Sequence, residues 1–414
     1  MPKERIVITG RGLVTPLGNG LEKNEEALRS GRSGVTFVPR WKELGLESQV
    51  AGLADEDPPS GLLDAKNKRF TMPNARMAVV AAEEALKEAR IPYEDLRNRK
   101  AAITLGCAGS SYEHIYDGAF AFRESGKVKR VSPFTVPRVM PSSAVSNLAI
   151  LLGIDGETFD ISSACTSGTH SIIVAARLLQ LGLYEYVITG GTEETNWVHA
   201  LGFDAMRALS RKYNNTPQRA SRPFDRDRDG FVIGTGAGVL IVETEEHAKR
   251  RGAPIIAVLT GMAANTNPEE MVVPSARSSC EVMRLSIENA GLGLEDIGYI
   301  NTHGTGTPTG DPLELEAIRL LFGDKAGKVA INSTKSMTGH MIGATGAVEA
   351  IFCTQMLQKQ FICPSINIDN PEPGFEWADL VRECRTGVNL RHALSNSFGF
   401  GGTNACLVIS SPDA

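Results

Sequence analysis

The chain has 414 residues, 42% hydrophobic and 22% charged, which is typical of a folded protein with two domains or one large duplicated core. A net charge of −5 gives no reason to expect nucleic-acid binding, and no apolar run is long enough to span a membrane. The seven cysteines form no CxxC pair and the N-terminal segment has no signal-peptide hydrophobic region, so we expect a reduced, cytoplasmic protein.

Strand-like apolar runs alternate with helical stretches along the chain, which predicts an α/β architecture. Apolar residues at three- and four-residue spacing mark the helices, and short β-branched runs mark the strands. In chain order we predict strands at 6–9, 101–105, 158–161, 186–189, 239–242, 255–261, 298–300 and 405–409, and helices at 75–89, 171–179 and 341–358.

Similar segments recur in the same order in the two halves of the chain. Each half opens with an apolar strand that ends in glycine, 6–10 and 255–261. Each then carries a small-residue motif before a helix, 161–170 and 331–340, and closes with a predicted glycine-rich hairpin, 230–242 and 398–409. This order predicts two duplicated halves, residues 1–252 and 253–414, that share one core. The alternative is chance similarity among common α/β turns.

Cys165 lies where the predicted strand 158–161 gives way to a helix. Because the N-terminus of a helix is the positive end of its dipole, we expect the thiolate to be favoured there. Small neighbours at 163–168 permit a sharp turn and close approach of a substrate. The alternative is a small buried cysteine, which is our interpretation of the other six cysteines.

Two histidines lie in open, polar segments. His303 is flanked by threonines and glycines after a strand, and His340 follows Thr338-Gly339 ahead of a helix, with Lys335 about one turn earlier. Ordinary alternatives are a loop histidine bonded to backbone and a helix-capping histidine. One cysteine and two histidines could bind zinc, but their spacing matches no zinc pattern and no carboxylates surround them, so we predict no catalytic metal.

The segment 395–404, SNSFGFGGTN, precedes the last predicted strand. Backbone N–H groups in such a glycine-rich loop can face a ligand oxygen, and its phenylalanines can close a pocket. The alternative is a bulged hairpin, which would not need two phenylalanines.

Four motifs occur in the order SSACTSG, NTHGTGTPTGD, STKSMTGHMIGATGAVEA and SNSFGFGGTN. Together they resemble the β-ketoacyl-(acyl carrier protein) synthases of types I and II, and the resemblance spans essentially the whole chain. The segment GFDAMRALSRKYNNTPQRASRPFDRDRDGFVI and the acidic 190–194 resemble type I more closely. The resemblance implies a thiolase-like five-layered αβαβα sandwich made from two duplicated halves, usually a homodimer. It further implies decarboxylative Claisen condensation of malonyl-ACP with an acyl-enzyme thioester, in fatty acid biosynthesis and without a cofactor.

The resemblance also implies roles for single residues. Cys165 would be the acyl-accepting nucleophile, His303 and His340 would serve decarboxylation, and Lys335 would be their supporting charge. The backbone N–H groups of Cys165 and Phe400 would form the oxyanion hole. The remaining implied positions are the pantetheine contacts Thr305 and Thr307, the pocket residues Phe398, Phe400 and Ala108, and a structural monovalent cation site at Asn301, Glu349 and Ser395.

The expected partner is acyl carrier protein, with neither nucleic acid nor membrane involved. Because that carrier is acidic, docking needs a local basic surface. Two clusters are candidates, although solvated surface charge is an equal alternative for each residue: Lys66, Lys68 and Arg69, and Lys127, Lys129 and Arg130. Competing functions are a type II polyketide ketosynthase subunit, a cysteine hydrolase, and a chain-length factor, which typically lacks the cysteine.

Overall fold

Strands and helices alternate in the computed structural model, which describes residues 4–109 and 111–414. The main strands are β1 (Ile6–Thr15), β2 (Ala101–Gly106), β3 (Thr158–Ile161), β4 (Tyr186–Glu193), β5 (Gly236–Thr244), β6 (Ala257–Thr266), β7 (Tyr299–Asn301), β8 (Ala330–Asn332), β9 (His392–Phe398) and β10 (Thr403–Ser410). The main helices are α1 (Pro73–Ala89), α2 (Ser143–Leu152), α3 (Ser167–Gln180), α4 (Ala276–Ala290), α5 (Gly310–Phe322) and α6 (Thr345–Lys359).

Shorter elements connect these. The short strands are Gly18–Asn19, Val35–Phe37, Val50–Gly52, Phe361–Ile362, Asp379–Leu380 and Arg385–Thr386. The additional helices are Leu21–Ser30, Pro39–Glu43, Ala65–Lys68, Tyr112–Ser125, Thr135–Val139, Trp197–Ala205, Glu245–Arg250 and Lys335–Thr338. Among the described residues, no helix has the length and apolar character needed to cross a membrane.

The two halves have the same strand order. The first runs β1-β5-β4-β2-β3 and the second β6-β10-β9-β7-β8. Directions also match. The strand β2 pairs in parallel with β3 and β4, as β7 does with β8 and β9, and the other pairs among the five main strands of each half are antiparallel. The halves join where β1 pairs with β6. This repeat confirms the predicted duplication, whereas the boundary between 1–252 and 253–414 stays a prediction.

Helices cover both faces of each half. Along β5, Leu240 and Val242 face a middle layer that contains α3 and α6, whereas Val239 and Ile241 face α1 and α2. Along β10, Leu407 also joins the middle layer, while its neighbours pack on α4 and α5. The alternation follows from the two-residue period of a strand. The result is the predicted five-layered αβαβα sandwich, with α3 and α6 at its centre.

Two predicted elements differ from the structure. The first predicted hairpin, 230–242, is wrong, because β5 is a single strand between β1 and β4 and the residues before it form only isolated bridges. One of these bridges joins Ile233 to His340, so the segment leaves the sheet to reach the second half. The second predicted hairpin is formed, by β9 and β10. The helix predicted to begin at Met341 begins at Thr345, after a 3₁₀ turn over Ile342–Ala344.

Candidate active site

Cys165 lies on a sharp turn between β3 and α3. The preceding residue, Ala164, has a φ of 52°, a left-handed conformation that costs energy for any residue but glycine. Thr166 and Ser167 then begin the helix, with their N–H groups bonded back to the carbonyls of Ser163 and Ala164. The sequence predicts this turn from its small residues, and the backbone places the thiol just ahead of the first turn of α3.

Cys165 is half-buried, and its loss of solvation outweighs the favourable effect of the helix dipole. Burial raises the pKa of Cys165 to about 12, while the charge of Lys335 and the N–H groups of Phe400 and of Cys165 itself act in the opposite direction. The expected resting thiolate is therefore wrong. A base has to accept the thiol proton when Cys165 reacts.

Two backbone N–H groups converge on the Cys165 sulfur, and they belong to Cys165 and Phe400. The β9–β10 turn reaches this position because Gly399 packs against the elbow, where a Cβ would lie 3.2 Å from the Cys165 nitrogen. The Thr403 hydroxyl also donates to the Ser163 carbonyl at 3.1 Å and fixes the two segments together. Two N–H donors that converge on one point can stabilise negative charge there.

His303 and His340 lie beside the thiol. The Cys165 sulfur and a ring nitrogen of each histidine are all within 4.8 Å of one another, and the two rings stand nearly perpendicular, 5.2 Å apart. Burial, followed by the charge of Lys335, lowers both histidine pKa values well below the usual range. Both imidazoles are therefore neutral at physiological pH.

The two histidines differ in how they are held. The Nδ1 atom of His340 lies 3.0 Å from the Thr345 hydroxyl, and its Nε2 is buried with no hydrogen-bond partner among the described residues. His303 is fixed through its backbone, because its N–H and that of Gly304 donate to the Glu314 carboxylate at 2.8 and 2.7 Å. His340 thus has one ring nitrogen on the Thr345 hydroxyl and the other without a partner, whereas the main chain orients His303.

Lys335 is fully buried behind the histidines. Its Nζ lies 2.7 Å from the Glu349 carboxylate and 3.3 Å from the Thr302 carbonyl, so the charge is paired. One Glu349 oxygen and the Asn301 side-chain oxygen are buried without a hydrogen-bond partner in the described part of the chain. Ser395 contacts the buried thiol of Cys353 nearby. Lys335 therefore acts on the histidines through its field, and two buried oxygens are available to a cation.

Sequence reasoning missed Glu314. Its carboxylate accepts the two loop N–H groups and the Asn396 amide at 3.0 Å, and burial raises its pKa to about 7. Glu314 follows the ordinary helical pattern of α5, so only its contacts with the histidine loop in the folded chain reveal its role. The available signal was the position of Glu314, three residues after Asp311 in α5. Asp311 likewise accepts a backbone N–H of the histidine loop, that of Gly306, at 3.0 Å.

A cavity of about 380 Å³ leads to the cysteine. Its walls include most of the predicted pocket residues, namely Cys165, His303, His340, Thr305, Thr307, Phe398 and Phe400. Ala108 does not line it. That residue packs on the same apolar cluster as Cys165 and Phe203, and its N–H donates to Glu193 at 2.9 Å. Ser110, two residues after Ala108, lies outside the described residues.

The two predicted docking clusters are on the surface. Lys66, Lys68 and Arg69 occupy the short helix Ala65–Lys68 and its end, and Lys127, Lys129 and Arg130 occupy an exposed turn. Segments that continue from both clusters touch, because the rings of Phe70 and Phe134 pack edge to face 5.2 Å apart. Lys68 is paired with Asp57 at 2.8 Å, which leaves it less available than the other cations.

The close approach of one thiol and two imidazoles raises the zinc alternative again. Metal-binding histidines usually donate their second nitrogen to a carboxylate or carbonyl, but His340 Nδ1 faces a threonine hydroxyl. These donors suit proton transfer and hydrogen bonding better than zinc, so the site does not fit a resident metal.

Comparison with known proteins identifies the family. The family model for "Beta-ketoacyl synthase, N-terminal domain" matches residues 3–248, and that for the C-terminal domain matches 256–369. The 3-oxoacyl-[acyl-carrier-protein] synthase 1 of Escherichia coli K12 is 42% identical over 98% of both chains, and that of Haemophilus influenzae is 41% identical over 98% of both. Synthase 2 of Vibrio harveyi is 37% identical over 99% of both.

Solved structures agree. A beta-ketoacyl synthase from Burkholderia phymatum superposes with a TM-score of 0.93 at 33% identity, over 99% of both chains. A type II polyketide ketosynthase in complex with its acyl-carrier protein gives a TM-score of 0.91 at 28% identity, over 99% of this chain and 100% of that one.

The duplicated sandwich and its cysteine–histidine site define a condensing acyltransferase of the thiolase fold. More particularly, the chain belongs to the β-ketoacyl synthase family, because two family models cover most of it and full-length relatives are more than 40% identical.

Proposed function

We propose that this protein extends acyl chains by two carbons, by decarboxylative condensation of malonyl-ACP with an acyl group on Cys165, in fatty acid biosynthesis. One observation carries the proposal. A thiol, two neutral imidazoles and two converging N–H groups meet at the inner end of one cavity. Identity to type 1 relatives of 41–42%, against 37% for a type 2 relative, supports a type I-like enzyme.

The first half-reaction moves the acyl group onto Cys165. Because the pKa of the thiol is about 12, its proton must leave as the sulfur attacks the thioester carbon. His303 is the acceptor, since His340 keeps its site-facing N–H when Nδ1 accepts from Thr345. The oxyanion is held by the N–H groups of Cys165 and Phe400. When the intermediate collapses, the proton passes from His303 to the departing pantetheine sulfur, so His303 is neutral again.

The second half-reaction uses both imidazoles as donors. Malonyl-ACP loses CO₂, and the electron pair of the broken C–C bond forms an enolate on the thioester oxygen. The N–H groups of His340 and of His303, the latter after its ring proton has moved to the site-facing nitrogen by exchange with solvent, stabilise that oxygen without protonating the carbon. The carbon attacks the acyl thioester, the bond between the acyl carbon and the Cys165 sulfur breaks, and the departing thiolate takes up a proton from solvent. Burial and, after it, the charge of Lys335 hold both histidine pKa values down, which keeps the rings neutral for this step.

The cavity wall provides the substrate contacts in this proposal. Thr305 and Thr307, whose hydroxyls lie 3.2 Å apart at the mouth side of the histidine loop, would bind the pantetheine arm. Phe398 and Phe400 would enclose the reacting carbons. Ala108, beyond the present end of the cavity, would line the distal part of the acyl channel.

Acyl carrier protein is the proposed partner, docking on the two basic clusters. The relatives carry this carrier in their names, and one structural neighbour is a ketosynthase bound to its carrier. Contact between the segments that follow the clusters, through Phe70 and Phe134, supports one joint surface. A cytoplasmic location belongs to the same proposal.

A homodimer is the proposed assembly. The helix Tyr112–Ser125 has no buried residue and exposes large apolar side chains, with Ile115 45% and Phe120 50% exposed. An apolar helix of this kind is typical of a protein interface. Sedimentation should show a dimer that the Ile115→Glu substitution dissociates, and a monomeric wild type would contradict the assignment.

A structural monovalent cation at Asn301, Glu349 and Ser395 is also proposed. The two partnerless buried oxygens of Asn301 and Glu349 support it, because such atoms are costly unless they bind something. The unfolding temperature should then be higher in potassium chloride than in an equal concentration of N-methylglucamine chloride. Equal temperatures would argue against the cation.

The decisive assay offers purified protein a ladder of acyl-ACPs together with malonyl-ACP. Products two carbons longer, across saturated fatty acyl chains, are the expected result. Release of free acid without malonyl-ACP would instead favour the cysteine hydrolase. Extension only of β-ketoacyl chains would favour the polyketide ketosynthase.

A further inference from the structure

A strained turn lies between the site and the predicted acyl channel. Ile342 has a φ of 42°, the left-handed region that β-branched residues avoid. It is buried, lies two residues after His340 and lines the cavity. Backbone strain of this kind persists only where surrounding contacts impose it, and it is concentrated at functional positions.

Glu193, at the end of β4, supplies those contacts. One of its carboxylate oxygens accepts the Gly343 N–H at 3.0 Å and the Ala108 N–H at 2.9 Å, and the other accepts the Gly109 N–H at 3.1 Å. Glu193 is fully buried, and a carboxyl group is costly to bury unless such donors surround it. A single side chain therefore ties the Ile342 turn to the loop that carries Ala108.

The Ile342 turn and the loop that carries Ala108 are closely packed against each other. A Cβ at Gly343 would lie 2.6 Å from the Ala108 nitrogen and 2.8 Å from the Glu193 carboxylate. The cavity reaches Ile342 and goes no further toward Ala108, although both residues pack on one apolar cluster. Ile342 thus lines the cavity together with Cys165, whereas Ala108 packs on the same cluster outside the cavity wall.

We propose that Glu193 and Ile342 determine acyl-chain specificity: Glu193 holds the turn in its strained conformation, and Ile342 then closes the inner end of the cavity. A short acyl group fits in front of Ile342, whereas a long one has to displace it. Glu193 is a positioning residue, because it acts on the substrate only through the turn. The inference rests on the proposed function, in which Cys165 accepts the acyl group.

The test measures transfer of hexanoyl and palmitoyl groups from acyl-ACP to Cys165 by rapid-quench mass spectrometry. In Glu193→Gln, an amide N–H₂ replaces one of the carboxylate oxygens that accept hydrogen bonds from the backbone N–H groups. A donor then faces a donor, so the turn loosens. The ratio of palmitoyl to hexanoyl rates should rise about threefold or more. Ile342→Gly removes both the closing side chain and the strain, and should raise that ratio about tenfold.

Two further variants separate this role from general damage. Glu194→Gln is the matched control, because Glu194 is also buried but bonds to Asn74 and Ser111 instead; its ratio should stay at the wild-type value. In the Ile342→Gly background, Glu193→Gln should change the ratio no further, since nothing remains to be held.

Equal slowing of both acyl groups in Glu193→Gln, or an unchanged ratio in Ile342→Gly, would overturn the proposal. If Glu193→Gln does not fold, Ile342→Gly decides alone. A wild-type protein that transfers neither group to Cys165 would overturn the proposed function itself, which is a distinguishable result.

Discussion

Replacing His340 with alanine should slow the decarboxylation of malonyl-ACP far more than the acylation of Cys165. The reason lies in the hydrogen bonds of the ring. Nδ1 lies 3.0 Å from the Thr345 hydroxyl, and when it accepts from that hydroxyl the buried and partnerless Nε2 carries the N–H that meets the enolate oxygen. The substitution removes a neutral donor and no charge, so the thiol and the oxyanion hole keep their electrostatic surroundings.

The magnitude follows from the loss of one preorganised donor. Removing such a donor typically raises a barrier by about 2.7–4 kcal/mol, a factor of roughly 10²–10³ in rate. Acylation should fall by about tenfold at most, because His303 remains to take the thiol proton. His303→Ala should instead depress both half-reactions, since His303 serves as proton acceptor in one and as donor in the other.

The assay follows ¹⁴CO₂ release from carboxyl-labelled malonyl-ACP and, separately, the mass increase of the protein with acyl-ACP. Thr345→Val is the matched variant: it keeps the imidazole but frees its tautomer, so decarboxylation should fall by only about tenfold. Thermal unfolding checks that each variant is folded. Equal loss of both half-reactions in His340→Ala would refute this division and make His340 the base for the thiol.

Three further predictions concern the thiol, the docking surface and the channel. Because the pKa of Cys165 is raised to about 12, its thiolate fraction still grows throughout pH 7–10. Alkylation of Cys165 by iodoacetamide should therefore accelerate about tenfold per pH unit, and a plateau by pH 8 would contradict the raised pKa. Reversing the charges of Lys66 and Arg69 together should raise KM for acyl-ACP roughly tenfold but leave KM for small pantetheine thioesters unchanged. Lys325→Glu is the control, and equal effects on both substrates would exclude docking of the carrier at this cluster. Ala108→Phe should reduce the rate of palmitoyl condensation roughly tenfold while hexanoyl transfer survives, because overpacking costs about 1–3 kcal/mol. Unchanged relative rates for the two acyl groups would place Ala108 outside the channel.

Much of the fold could be predicted from the sequence because the two halves repeat the same local patterns. The segments 161–170 and 331–340 both carry small residues ahead of a helix, and the strands that lead into them, β3 and β8, hold the same place in the strand order of the two halves. The hairpin predicted at 230–242 failed for a tertiary reason. Gly236 faces the Met341 side chain, where a Cβ would lie 2.6 Å from its sulfur, so this segment is shaped by the other half and not by local turn chemistry.

The site was predictable where motif and geometry coincide. Cys165, His303 and His340 stand in distinctive small-residue motifs, and the structure brings them together. The protonation state of the thiol was not predictable, because a helix N-terminus is visible in a sequence whereas burial is not. Glu193 was read only as part of an acidic motif and Glu314 was missed altogether, since each acts through loops that are remote in sequence.

The central claim is that Cys165 carries the acyl chain and that carbon–carbon bond formation releases it. Mass spectrometry of the protein, first with palmitoyl-ACP and then after a chase with malonyl-ACP, tests both parts in one experiment. The account predicts a palmitoyl group on the Cys165 peptide, stable until malonyl-ACP is added and then recovered as the β-ketoacyl thioester two carbons longer. A palmitoyl group on any other cysteine, or its loss as free acid without malonyl-ACP, would contradict the account.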